Sequence, residues 1–186
     1  MVTLFPNTVR HDSRGMVFVD GENLAIRYGE MLKEKGGIPF LHVRYEPDVY
    51  VWSQGLNNAC MQIEVIRKRY YTSVQGTSER VQEVQDQLKG LGIEAPFVFR
   101  RTKTRGSKRV DISLTTDMLT HAARRNYDIA VLVAGDEDYV PLVEAVKLEG
   151  RRVFLWFVEN GLSDALRRSI DHYADIGRLV LFSENV

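Results

Sequence analysis

A single cysteine, Cys60, is all the thiol chemistry in the 186-residue chain. It excludes an intrachain disulfide and a cysteine-rich zinc site, and it fits a reducing compartment, so a cytoplasmic location is expected. Long apolar runs are missing as well. The most apolar segment, Val153-Phe154-Leu155-Trp156-Phe157-Val158, has the length of a buried strand and falls far short of the roughly 20 residues a bilayer requires. No membrane partner is expected. Neither charge sign is in surplus, because 25 basic and 25 acidic residues cancel. A case for nucleic acid must therefore come from local segregation of charge. Histidine is scarce, with four residues, and none lies in the acidic motifs below, which turns the reading away from zinc. There is no internal repeat and no low-complexity tract. The first residues lack a continuous apolar core behind a basic start, so they read as a short leader, 1–15, before a domain over 16–186.

What is present is ordinary for a globular protein: 44 % hydrophobic and 27 % charged residues, enough for one domain to bury a full core without staples. Apolar runs alternate with amphipathic stretches, the pattern of a parallel α/β sheet covered by helices on both faces. Strands are expected over 16–19, 63–71, 93–99, 129–133 and 152–158, with an edge strand over 179–182. Helices are expected over 23–35, 47–60, 79–91, 111–125, 141–149 and 163–170, the last with Ser163 as its N-cap.

The first strand ends in Asp20-Gly21-Glu22-Asn23 and the fourth in Gly135-Asp136-Glu137-Asp138. Open parallel sheets bind ligands outside the carboxyl ends of their strands, where the strand order reverses. With the order 3-2-1-4-5, Asp20 and Asp136 face each other across one crevice. Carboxylates that close resist joint ionisation unless a cation sits among them. A hard divalent ion, Mg²⁺ or Mn²⁺, suits oxygen ligands and supports in-line phosphoryl displacement by an activated water, with no side chain as covalent nucleophile. Each aspartate also has a plainer explanation. Asp20 and Asp138 can cap the helices that follow them, and Asp136 can serve a turn. Asp111 and Asp117 can be solvated helix positions. Those two lie six residues apart, about 240° of helix rotation, so they do not share a face. Asp111 is the better ligand candidate, and Asp117 is left to orient a water or a second metal, or to be structural.

Three segments carry a resemblance to a known family. Phe18-Val19-Asp20-Gly21-Glu22-Asn23-Leu24 resembles the opening motif of the NYN domain, an aspartate followed three positions later by asparagine. Val110-Asp111 through Asp117-Met118-Leu119 resembles its acidic helix, and Gly135-Asp136-Glu137-Asp138-Tyr139 resembles its Ser-Gly-Asp-x-Asp-Phe turn. They occur in family order and span about residues 16 to 176. NYN domains are related to PIN domains, so the resemblance implies a single PIN-like domain and an endonuclease of the ribonuclease type using Mg²⁺ or Mn²⁺. It assigns catalytic and metal-ligand roles to Asp20, Asp111, Asp136 and Asp138, and supporting roles to Asn23 and Asp117. Two departures stand out: Lys108-Arg109 replaces Lys-Gly, and Ala134 replaces the usual serine.

The densest basic run, Arg100 to Arg109, leads directly into Asp111. Arg101, Lys103, Arg105, Lys108 and Arg109 are candidates for nucleic-acid contact, as are Arg67 and Arg69, which sit beside Lys68, Tyr70 and Tyr71. Basic residues next to aromatics suit single-stranded nucleic acid, although a solvated loop and a packed strand with a basic face explain the same segments. The expected partner is single-stranded or structured RNA, with RNA over DNA resting on the resemblance alone; a homodimer is left open. Two other enzymes fit less well. A haloacid-dehalogenase-type phosphatase needs aspartate where Glu22 stands, and a toprim-like site needs a glutamate motif not evident here. A non-catalytic RNA-binding or scaffold module with the same fold is the competing reading.

Overall fold

In residues 14–20 the four side chains from Met16 to Val19 are all apolar, and this run becomes a central strand of the main sheet. The computed structural model describes residues 13–35, 38–39, 42–57, 63–101, 108–177 and 182–183. Strand β1 (Arg14–Asp20) runs into helix α1 (Gly21–Lys35) with no intervening loop residue. A short strand β2 (Ile38–Pro39) and a hairpin of β3 (Val43–Glu46) and β4 (Tyr50–Ser53) follow, then a one-turn helix α2 (Gln54–Asn57). The chain continues as β5 (Glu64–Val74), α3 (Ser78–Gly90), β6 (Ala95–Arg100), α4 (Lys108–Ala123) and β7 (Ile129–Val133). A 3₁₀ turn (Glu137–Tyr139) leads into α5 (Val140–Leu148), then β8 (Arg152–Phe157), α6 (Asp164–Ser169), β9 (His172–Asp175) and β10 (Phe182–Ser183).

The main sheet has six strands in the order β6-β5-β1-β7-β8-β9, and every pairing in it is parallel. Its first five strands reproduce the expected order 3-2-1-4-5. Successive side chains of a strand point to opposite faces, and the two cores divide accordingly. Val17 and Val19 join α1, α3 and the hairpin through Leu24, Tyr28, Val84, Leu88 and Trp52. Met16 and Phe18 join α4, α5 and α6 through Leu114, Met118, Val143 and Leu166. Burial on both faces explains why β7, Ile129-Ala130-Val131-Leu132-Val133, is apolar throughout. Each such fully buried Val or Leu contributes roughly 1.5–3 kcal/mol. Among the described residues no helix is long and apolar enough to cross a membrane.

In two places the structure differs from expectation. Of the helix expected over 47–60, the described part keeps only the single turn α2 at 54–57: residues 43–53 form the antiparallel β3–β4 hairpin instead. Asp48 in its turn has φ 58°, a left-handed conformation that aspartate tolerates and a helix does not. Tertiary contacts also decide there. The Tyr70 hydroxyl donates to the Val51 carbonyl at 3.0 Å and accepts from the Val51 amide at 3.1 Å, while Trp52 packs edge-on against the Tyr70 ring. The sixth strand, β9, was not expected; its sequence His172-Tyr173-Ala174-Asp175 has no apolar run, and only Ala174 is buried. The edge strand expected over 179–182 lies mostly outside the described residues, and Phe182–Ser183 pairs with Ile38–Pro39 in a separate two-stranded ladder. The expected leader likewise lies outside them up to residue 12, and β1 starts at Arg14.

Candidate metal and nuclease site

Two strand ends and one helix start build the site. β1 delivers Asp20, the loop after β7 delivers Asp136 and Asp138, and the first turn of α4 delivers Asp111. β1 and β7 are neighbours at the point where the strand order reverses, the place where such sheets bind ligands. Two glycines permit the close packing. A Cβ on Gly21 would collide with the Tyr70 ring, and one on Gly135 would collide with Phe157 and the Gly161 carbonyl. The four aspartates line one cavity of about 350 Å³ together with Glu22 and Asn23.

Asp20 is only 3 % exposed. Its Oδ1 accepts the Asn23 amide at 3.0 Å, so it does cap α1. Its Oδ2 accepts the Tyr139 hydroxyl at 2.8 Å. Capping and site membership are therefore both true of this residue. Burial pushes the Asp20 carboxyl up to about 7, helped by the charges of Asp111 and Glu22 and opposed by its two hydrogen bonds. The same Tyr139 hydroxyl lies 3.3 Å from Asp111 Oδ1. Asp111 is also raised, first by burial and then by Asp136, Glu22 and Asp138, against the Tyr139 hydrogen bond. Tyr139 itself is buried and raised well above an ordinary phenol, so it remains a donor near neutral pH. One hydroxyl thus bridges two carboxylates contributed by different segments.

Asn23 performs the corresponding task for the loop after β7. Its Nδ2 donates to Asp136 Oδ2 at 2.9 Å, and its Oδ1 accepts the Gly135 amide at 2.9 Å. The backbone N–H fixes which end of the amide is oxygen, and the carboxylate accepts from the other. Asp136 and Asp138 are exposed. Neither Asp136 nor Tyr139, the residues at the two N-cap positions of this segment, makes a side-chain cap bond, so capping does not account for Asp138.

Asp117 is elsewhere. It accepts from Arg69 at 2.6 Å and from the Tyr71 hydroxyl at 2.7 Å, on another side of α4 from Asp111. The basic candidates also separate. Arg101 is tied to Glu22 at 3.0 Å, to Ser73 at 3.0 Å and to the Asp48 carbonyl at 3.0 Å. Arg69 lies over the Phe97 ring at 4.7 Å and Arg109 over Phe99 at 4.8 Å. Lys108 and Arg67 are exposed. Lys103 and Arg105 lie outside the described residues. Lys68 pairs with Glu94 at 2.9 Å, and Tyr70 and Tyr71 are fully buried, so neither tyrosine is available to stack on a base.

Sequence reasoning missed Tyr139, Glu22 and Ser73. Glu22 is 6 % exposed and accepts from Ser73 as well as Arg101. The signal for Tyr139 was its hydroxyl, which stands where the family turn has phenylalanine.

The donor chemistry fits a hard divalent ion: oxygen only, with one carboxylate whose charge burial disfavours until a cation offsets it. Among the described residues no three carboxylate, histidine or cysteine side chains converge to enclose an ion as they stand. Asp20, Asp111, Asp136 and Asp138 line the cavity without closing on one point.

Among solved structures the chain is similar to a protein of unknown function from Vibrio parahaemolyticus. The two are 20 % identical with a TM-score of 0.67, over 92 % of this chain and 97 % of that one. Likeness at that identity speaks for the fold alone. No curated protein sequence matches the chain. The NYN domain matches residues 14–177, which takes in the main sheet, its flanking helices and all four aspartates, and the chain therefore belongs to the NYN domain family, a family of PIN-like nucleases.

Proposed function

We propose that the chain is a metal-dependent endoribonuclease that hydrolyses phosphodiester bonds of RNA with Mg²⁺ or Mn²⁺. The observation that carries this reading is the gathering of Asp20, Asp111, Asp136 and Asp138, from three separate segments, around one cavity at the switch point of the sheet. A bound divalent ion would supply an activated water and charge neutralisation for an in-line displacement. The residues divide the remaining work. Asp20 and Asp111 would hold the ion from the protein side, with Tyr139 fixing their mutual orientation. Asp136 and Asp138 would close on it from the loop, with Asn23 fixing Asp136. Hydrogen-bonded partners of this kind orient metal-binding carboxylates. Glu22 is neutralised by Arg101, which limits the negative charge that a phosphate must approach. Arg27 lines the cavity itself, and Lys108 and Arg109 precede Asp111 at the start of α4; these cations would meet the phosphate backbone. RNA as substrate rests on family membership.

The test is incubation with labelled single-stranded RNA, structured RNA and DNA, with and without Mn²⁺, followed by end mapping. Cleavage within RNA that needs metal and is lost in Asp20→Asn and Asp136→Asn, with the fold intact, is the expected result. A second reading, a non-catalytic RNA-binding or scaffold module, is favoured by one observation: the carboxylates do not converge. RNA binding without metal-dependent turnover would establish it.

A further inference from the structure

The β1–β5 ladder slips once. Gly15 pairs with Val65 and Met16 with Arg67, which leaves Ile66 as an extra residue on β5. A bulge of this kind breaks strict alternation and re-aims side chains. Here the neighbours Ile66 and Arg67 both line a second cavity of about 350 Å³. Its other walls are Arg14 and Met16 from the first half of β1, His121 from the last turn of α4, and Asn126 beyond it. This cavity lies at the opposite end of β1 from Asp20, and the carboxylate site uses none of its residues.

The chemistry of the lining is specific. Arg14 is held by the Arg125 carbonyl at 3.1 Å and by Asp128 at 3.5 Å. Arg67 is exposed and, among the described residues, forms no ion pair. His121 Nδ1 lies 2.7 Å from the Asn126 amide nitrogen. With that nitrogen facing it, Nδ1 accepts and Nε2 carries the proton, which makes the imidazole a donor. Burial and the charge of Arg69 hold His121 below its ordinary value, with Arg67 and Arg124 adding to this and Asp117 opposing; the surroundings are electropositive. Against these polar groups stand Met16, which is buried, and Ile66, which is 41 % exposed. Such exposure is ordinary in itself, since Ile26 is equally open; what sets Ile66 against a ligand is its position on the cavity wall.

Guanidinium groups recognise phosphate oxygens with charge-assisted, often paired hydrogen bonds. A bare anion has no use for Ile66, and an apolar ligand has none for Arg14 and Arg67. We propose that this cavity is a second binding site, for a nucleoside phosphate, with Arg14, Arg67 and His121 on the phosphate and Met16 and Ile66 against the nucleoside. The site is independent of whether the carboxylate crevice cuts RNA. The phosphate has two sources, a free nucleotide or a strand. His121 follows Asp111 by ten positions on α4, about 15 Å along the helix axis and about 80° around it, so a strand that met both would have to turn around the helix between them.

The experiment follows the His121 ring resonances of the full chain by NMR, with chelator present so that nothing is cleaved. The probes are adenosine, adenosine monophosphate, inorganic phosphate and a short single-stranded oligoribonucleotide. The mononucleotide or the oligomer should shift His121, and Arg67→Ala should weaken that binding by about tenfold or more. Binding of the mononucleotide identifies a free-nucleotide site; binding of the oligomer alone identifies a strand contact. The proposal is overturned if neither shifts His121, if adenosine or inorganic phosphate binds as tightly as the phosphorylated nucleoside, or if Arg67→Ala binds as well as wild type. Arg67 is exposed, and unchanged ring resonances elsewhere verify that the variant is folded.

Discussion

Asp111 and Asp117 stand on the same helix and meet opposite surroundings. Asp111 looks onto other carboxylates and a single tyrosine hydroxyl, and burial together with its acidic neighbours raises it. Asp117 looks onto Arg69 and Tyr71 and is bound by both. The first arrangement is costly without a cation; the second is complete in itself. A difference of six positions on α4 thus separates a residue fit for chemistry from one fit for packing, and the electrostatic partner, more than the residue type, decides which is which.

The comparison can be broken most decisively at Asp111. Asp111→Asn should lower RNA cleavage by more than about 100-fold, beyond the cost of losing an outer hydrogen-bond partner of a metal ligand, while chemical denaturation shows little loss of stability. Near-normal cleavage by this variant would remove Asp111 from the site. Tyr139→Phe should come next. It deletes the hydroxyl shared by Asp20 and Asp111, and a calorimetric Mn²⁺ titration should show affinity reduced about 10- to 100-fold with the melting temperature nearly unchanged. An unaltered titration would reduce Tyr139 to a packing residue.

Asp117→Asn sharpens the contrast from the other side. It leaves Arg69, whose side chain is 12 % exposed, without its anion, and should cost about 1–3 kcal/mol of stability in urea unfolding, with cleavage changed only a few-fold. Loss of cleavage in a folded Asp117→Asn would merge the two environments into one functional unit.

The last test concerns pH. Asp20 rises in the folded state from 3.8 to about 7, so the fold retains a proton that the unfolded chain has released across that window. Without divalent metal, stability from this group is fully present below the lower value and is lost as pH rises through the upper one. Thermal melts in chelator at about pH 5 and about pH 8 should show the difference, and Asp20→Asn should flatten it. An equal slope in the variant would assign the pH dependence to other groups.

Much of this was legible in the sequence, for identifiable reasons. β1, β7 and β8 are buried on both faces, so their apolar runs announce them, and the alternation of strands with helices points to a fold class from which the sheet order is inferred. Asp20 and Asp136 follow because they terminate such strands. The separation of Asp111 from Asp117 follows from helix rotation alone. Illegible features depend on contacts distant in sequence. The Tyr139 hydroxyl meets Asp20 across 119 positions, and nothing local to either residue announces the pairing. Arg101 read as a surface cation because its partner Glu22 belongs to another element. The β3–β4 hairpin was hidden for the same reason: Val51 and Trp52 are held extended by Tyr70, which only the folded sheet brings near.

The position of β1 has a consequence in time. It is the first strand of the main sheet to be synthesised, yet its partners are β5 and β7, and the second of these ends at Val133. Parallel pairings across such separations are slow to form, because loop closure must precede the contacts that reward it. During synthesis, Asp20 is therefore held without its crevice until Asp136 and Tyr139 have followed β7 out of the ribosome. A nascent chain interrupted before that point has the first aspartate and no site, so the proposed nuclease is inert until most of its domain has been made.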